Sequence, residues 1–233
     1  MTLRNTGPPT SVDAFVSSAL KVDIWSDIAC PWCYVGKRRF AEGVRRFQAA
    51  GGGRVDVEYH SFELAPDTPV DFQGSEADFL ADHKGLPLAQ VHQMLGQMTE
   101  VARDEGLDFD YDSLKHTNTL KAHEALHAAK AAGLQAELKE RLLRAYFTEG
   151  RHIGYDDELA DLAAEVGLDR EAVLGALHEG TYRADVAADI TQARAYGIRG
   201  VPSSSSTAST ACPAPRTQTS SQTPSAKPRL RSR

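Results

Sequence analysis

Val22-Asp23-Ile24-Trp25-Ser26-Asp27-Ile28-Ala29-Cys30-Pro31-Trp32-Cys33-Tyr34-Val35-Gly36 is the stretch whose reading decides the fold. Its first half is an apolar run with the character of a buried strand. Its second half, continuing through Lys37-Arg38-Arg39-Phe40, opens a basic amphipathic helix. Cys30 and Cys33 therefore sit where a strand passes into a helix. Unpaired backbone N–H groups and the helix dipole favour an anion at that point. A thiolate is an anion, so the Cys30 thiol is expected to ionise well below the free-thiol value of about 8.5. Cys33, one helical turn on, can attack a mixed disulfide formed on Cys30. Two other readings stay open at this stage. Half a zinc site is one, although zinc takes four ligands and no second close Cys/His pair is present. A pair of buried structural thiols is the other.

Working outward, the composition narrows the function classes. The 233 residues are 41% hydrophobic and 25% charged, which suits a globular protein of one domain, or one domain with an insertion. A net charge of −6 argues against nucleic acid and against an anionic membrane surface as partners. No apolar run approaches the length of about 20 residues that a bilayer requires. Residues 1–20 hold Pro8, Pro9 and Asp13 with only a short apolar patch, unlike a signal peptide, and are expected to be a disordered leader. A cytoplasmic location follows by default. Three cysteines are too few for a disulfide scaffold, so a close pair in a reducing compartment points to chemistry.

Lys21–Ala29 reads as the first strand and about Pro31 to Ala50 as a helix closed by Gly51-Gly52-Gly53. Arg54–Glu63 alternates, with Val55, Val57 and Tyr59 on one face, and reads as a second strand. Residues 21–74 thus form the first α/β part. From Ser75, which with Asp78 makes a helix-start signal, the pattern is helical to Gly197. Leu134, Leu138, Leu142 and Ala145 define one buried stripe in that region. The fold class is α/β, with residues 75–180 an all-helical insertion and 181–202 a return helix and loop.

Several separated motifs resemble the FrnE-type branch of the DsbA family, thioredoxin-fold dithiol–disulfide oxidoreductases with a helical insertion. They are Asp23 to Asp27 leading into Cys30-Pro31-Trp32-Cys33-Tyr34-Val35-Gly36, Ser61-Phe62-Glu63-Leu64, Thr117-Asn118-Thr119 with His123, Leu143-Arg144-Ala145-Tyr146-Phe147, and Gly197 to Pro202. The resemblance implies Cys30 as nucleophile and Cys33 as resolving thiol. It implies a cis proline at Pro202 facing them, with Pro31, Trp32 and Val201 as the substrate-facing rim. His123 and Asn118 are candidate modulators; the plainer readings are a surface histidine and a helix cap. The implied partners are disulfide- or dithiol-containing proteins or small thiols, with glutathione as a co-substrate and no metal. A glutathione-linked kappa-type transferase or 2-hydroxychromene-2-carboxylate isomerase is the competing enzyme class. Those typically carry serine where this chain has Cys30. A helical binding module or an inactive truncated product is the non-catalytic alternative.

After Pro202 the composition changes. Residues 203–233 contain no acidic, aromatic, Val or Ile residue and are expected to be disordered. Family members continue there with apolar strands and a final helix, so these are expected to be missing. A frameshift explains the change: a serine codon TCN read one base earlier becomes NTC, which encodes only Phe, Leu, Ile or Val. On this reading the thioredoxin part is unstable with an unpaired sheet edge, while the helical insertion persists alone. Cys212, in the altered tail, is expected to be without a role.

Overall fold

The computed structural model describes residues 19–208. The expectations for residues 1–18, for 209–233 and for Cys212 lie outside them. Three strands form one sheet, β1 (Leu20–Ser26), β2 (Val55–Ser61) and β3 (Ser203–Ala208), in the order β2-β1-β3. β1 and β2 run parallel, with Leu20 opposite Val55 and Ser26 opposite Ser61. The 19-residue helix α1 (Pro31–Ala49) makes the crossover that a parallel pair requires. β1 ends at Ser26, three residues earlier than the apolar run suggests. The Asp27 carboxylate turns the chain there, accepting the N–H groups of Ile28 at 2.7 Å and Leu64 at 2.8 Å.

β3 corrects the sequence-based expectation for the tail. Ser203 to Ala208 lie antiparallel to β1, with Trp25 opposite Ser203 and Leu20 opposite Ala208. Backbone pairing alone suffices to extend a sheet. Composition, which judges side chains, does not register it. The first strand after the proline is therefore present, and β1 is paired on both sides. The serine side chains from Ser204 to Ser206 are exposed and add no apolar cover.

Between β2 and β3 the chain is helical: α2 (Glu76–Lys84), α3 (Leu88–Asp104), α4 (Leu120–Ala131), α5 (Gln135–Phe147), α6 (Asp156–Ala164), α7 (Arg170–Glu179) and α8 (Arg183–Ala195). Ser75 and Asp78 cap α2 reciprocally, side chain to backbone in each direction. α4 is the central helix, buried from Ala122 to His127 and again at Ala129, and its alanines let α5, α6 and α7 approach closely. The Leu138, Leu142 and Ala145 stripe of α5 is fully buried.

This core does not stop at the insertion. Ile28, Tyr34 and Val35, from the strand-to-helix junction, belong to the same cluster as Leu138, Leu142, Tyr146 and Phe147. A smaller cluster, Val22, Ile24 and Tyr59, lies on the sheet. The Gln135 amide pairs with the Tyr59 backbone in both directions, at 3.0 and 2.7 Å, and so blunts the outer edge of β2. Asp189 of α8 accepts from the Ser61 N–H at 2.8 Å and bonds His60 at 2.9 Å and His127 at 3.1 Å. Its backbone carbonyl accepts the Trp25 indole N–H at 3.3 Å. The helical insertion thus shares its core with the thiol-bearing part.

Candidate active site

Cys30 is the N-cap residue of α1, extended at φ −96°, with Pro31 in the first helical position. Pro suits that position because its missing N–H would be unpaired in any case. The N–H of Cys33 returns to the Cys30 carbonyl at 3.0 Å. Both cysteines are free thiols and only 4% exposed. Trp32 between them is 51% exposed and forms the rim. The Val201–Pro202 peptide is cis, and the Cys30 thiol donates to the Val201 carbonyl at 3.6 Å. Gly36 makes this approach possible: a Cβ there would lie 3.3 Å from Cγ of Pro202. Cys30, Cys33, Pro31, Trp32, Val201 and Pro202 therefore come together, although they are separated by up to 172 positions. 

Beneath the thiols lies a buried polar set, of which the sequence reading singled out His123 but neither Asp27 nor Lys139 as a site residue. Asp27 is 1% exposed and Lys139, from α5, is also 1% exposed. His123 of α4 is equally buried, with Nε2 3.3 Å from Asp27. Burial works against the Asp27 charge, but the hydrogen bonds from His123 and from the Leu64 N–H hold its carboxyl below the usual range. Burial pushes His123 down against the pull of Asp27, so the imidazole is neutral and donates through Nε2. Burial likewise lowers Lys139, opposed by the charges of Cys33, Asp27 and Cys30.

The thiols titrate as a pair. The hydrogen bond to Cys33 and burial push Cys30 far up once its partner is ionised. Burial opposes ionisation of Cys33, but the hydrogen bond from Cys30 and the Lys139 charge bring it below its ordinary value. The first proton of the pair thus leaves readily and the second does not. That low first step belongs to the pair rather than to Cys30 or Cys33 alone, and the Cys30 thiol faces the Val201 carbonyl.

Asn118 does not reach the thiols. Its side chain accepts from the Leu120 N–H at 2.9 Å and donates to the Pro66 carbonyl at 2.9 Å, tying the start of α4 to the loop after β2. The Lys37-Arg38-Arg39 run is engaged: Lys37 and Arg38 pair with Glu140 at 2.5 Å, and Arg39 with Glu105 at 2.6 Å. Lys139 was detectable in principle, because it falls on the buried stripe of α5 beside Leu138 and Leu142. Asp27 carried a similar signal, as an acid closing an apolar strand.

A buried thiol pair at a strand–helix junction, facing a cis proline, places the molecule among the thioredoxin-fold proteins. The DSBA-like thioredoxin domain matches residues 21–219, and the chain belongs to that family. The chain is 31% identical over 163 residues to the uncharacterized protein YwbO of Bacillus subtilis, spanning 70% of this chain and 74% of that protein. It is 34% identical to the probable DsbA oxidoreductase SCO1869 from Streptomyces coelicolor, whose crystal structure superposes with a TM-score of 0.74, covering 80% of each chain. The cytosolic disulfide reductase DsbM from Pseudomonas aeruginosa shares the fold at 23% identity and a TM-score of 0.56, over 79% of this chain and 83% of that one. Among the described residues no helix is long and apolar enough to cross a membrane.

Proposed function

We propose that this DsbA-family protein is a thiol–disulfide oxidoreductase of the FrnE type that works through Cys30 and Cys33. The observation that carries the reading is the Cys30 thiol against the Val201 carbonyl beside cis Pro202, with Cys33 and Lys139 behind it. A disulfide substrate R–S–S–R′ entering at Trp32 displaces the Val201 contact. The two thiols share one readily lost proton, and with the remaining proton on Cys33 the anion is on Cys30. The Cys30 thiolate attacks one sulfur, forming Cys30–S–S–R and expelling R′–S⁻, which leaves as the thiol. Cys33, deprotonated beside Lys139, then displaces R–S⁻ and closes the Cys30–Cys33 disulfide. Two electrons pass from the dithiol to the substrate, and a second dithiol or glutathione restores the enzyme. The reverse sequence oxidises dithiols. Neither metal nor nucleotide takes part, and the reducing cytoplasm suits the dithiol form.

The test is insulin reduction driven by dithiothreitol, compared with Cys30→Ser. Loss of the catalysed rate in the variant is the expected result; equal rates would remove the reading. The serine strand β3 fits a frameshifted gene, since it keeps the backbone pairing of a family strand without its apolar side chains. The encoding DNA decides it: codons 203–206 other than TCN exclude that origin.

A further inference from the structure

Cys30 and Trp32 open onto a cavity of about 640 Å³ that the chemistry of the thiols does not require. α2, α3 and the loop after β2 wall it, and its surface is mostly apolar, including Phe79, Leu80, Leu95, Met98 and Val101. A volume in this range suits a small organic molecule. Three polar atoms on the same lining are buried with no hydrogen-bond partner among the described residues: Thr68 Oγ1, Tyr111 Oη and His116 Nε2. Each such atom costs about 1–3 kcal/mol unless something enters to pair with it. His116 is only 4% exposed.

The chemistry of these atoms narrows the ligand. His116 Nδ1 is 2.7 Å from the Glu76 carboxylate, to which it donates, and the ring stacks on Phe79 with centroids 3.6 Å apart. In the neutral ring that tautomer leaves a lone pair on Nε2, which calls for a donor. The hydroxyls of Tyr111 and Thr68 offer donors in return. Tyr111 and Cys30 line the same cavity. The lining carries Glu76 and Asp27 together with Lys84, a mixed set that favours an uncharged ligand. A hydroxyl group, able to donate and accept at once, matches the mixed donor and acceptor character of these atoms.

We propose that this cavity binds the non-reacting part of the substrate, and that it takes a compact, uncharged, apolar molecule ending in a hydroxyl group. The inference rests on the oxidoreductase reading of Cys30. It directs that reading to small hydroxylated disulfides or thiols rather than to extended polypeptides. The exchange itself is the one already written, with the disulfide held at Cys30 while its apolar body fills the cavity.

The test measures binding of 2-naphthol, its methyl ether and 2-naphthoate to the full reduced chain by calorimetry. The expected result is 2-naphthol at least about tenfold tighter than either analogue. The preference should collapse in Tyr111→Phe and, independently, in Thr68→Val, while the ether binds both variants as it binds the parent. Bis(4-hydroxyphenyl) disulfide should also be reduced with a higher kcat/KM than its methoxy counterpart, and 2-naphthol should compete with it. Equal affinity for alcohol and ether, preference for the naphthoate, or no binding at all would overturn the proposal, the last meaning that the cavity holds water only. Selective 2-naphthol binding by a chain that reduces no disulfide would instead overturn the redox reading and leave the cavity assignment standing.

Discussion

Leu142→Ala tests whether the insertion and the thiol-bearing part are one folding unit. Leu142 is fully buried in α5, in the cluster that also holds Ile28, Tyr34 and Val35 at the thiol junction. Truncating a buried leucine costs about 2–5 kcal/mol, the lost transfer energy plus the cavity left behind. Whole-domain stability is about 5–15 kcal/mol, so the change is a large share of it. It multiplies the unfolded fraction by about 30-fold to several thousandfold at 1.36 kcal/mol per decade. For a chain of this size it lowers the melting midpoint by about 4–20 °C. Far-ultraviolet circular dichroism reports mainly the helices. In a Trp32→Phe background, tryptophan emission reports Trp25, which is 1% exposed in β1 and bonded to Asp189. The two signals should move together and by the same amount. A fall in the helical midpoint with the Trp25 transition left in place would refute the shared core.

Two further outcomes follow from particular contacts. His60 is half-buried, and that burial lowers its pKa, but its bonds to Asp189 and Asp23 outweigh this and hold it above its ordinary value. It therefore adds stability that is complete below pH of about 6.5 and is lost as pH rises through the raised value. His123 acts in the opposite sense, because its lowered pKa takes stability away as pH falls. The difference in melting midpoint between the parent and His60→Gln isolates the first effect: it should shrink on the alkaline side, and a difference constant with pH would contradict the assignment. Gly36→Val places side-chain atoms against Pro202, 3.3 Å from the Cβ position. It should displace the cis-proline loop and slow insulin reduction by up to about a hundredfold, with the helical signal retained; an unchanged rate would show that the loop tolerates the displacement.

How much of this was legible in the sequence depends on whether the information is local. The Cys30–Cys33 junction, the cap at Ser75 and the stripe through Leu138 and Leu142 are periodic or adjacent signals, and the structure has them where the pattern puts them. Asp27, Lys139 and His123 meet only because α4 and α5 fold back beneath the thiols. Nothing in the spacing of positions 27, 123 and 139 states that meeting. The same holds for the cavity, whose polar atoms come from residues 68, 111 and 116. The β3 strand was missed for a different reason: hydropathy scores side chains, and Ser203 to Ala208 join the sheet through their backbone. The helix end is legible in the sequence as a cause of thiol ionisation; the neighbouring sulfur's coupling and the buried lysine, which also act on the pair, are not.

The most direct measurement is the pH titration of thiolate ultraviolet absorbance in the reduced protein. One thiolate should appear below the free-thiol value of about 8.5 and the second only far above it, because the two sulfurs share a proton beside Lys139. Lys139→Met should move the first step upward. Two thiolates appearing in a single step near the free-thiol value, unchanged by Lys139→Met, would contradict the account.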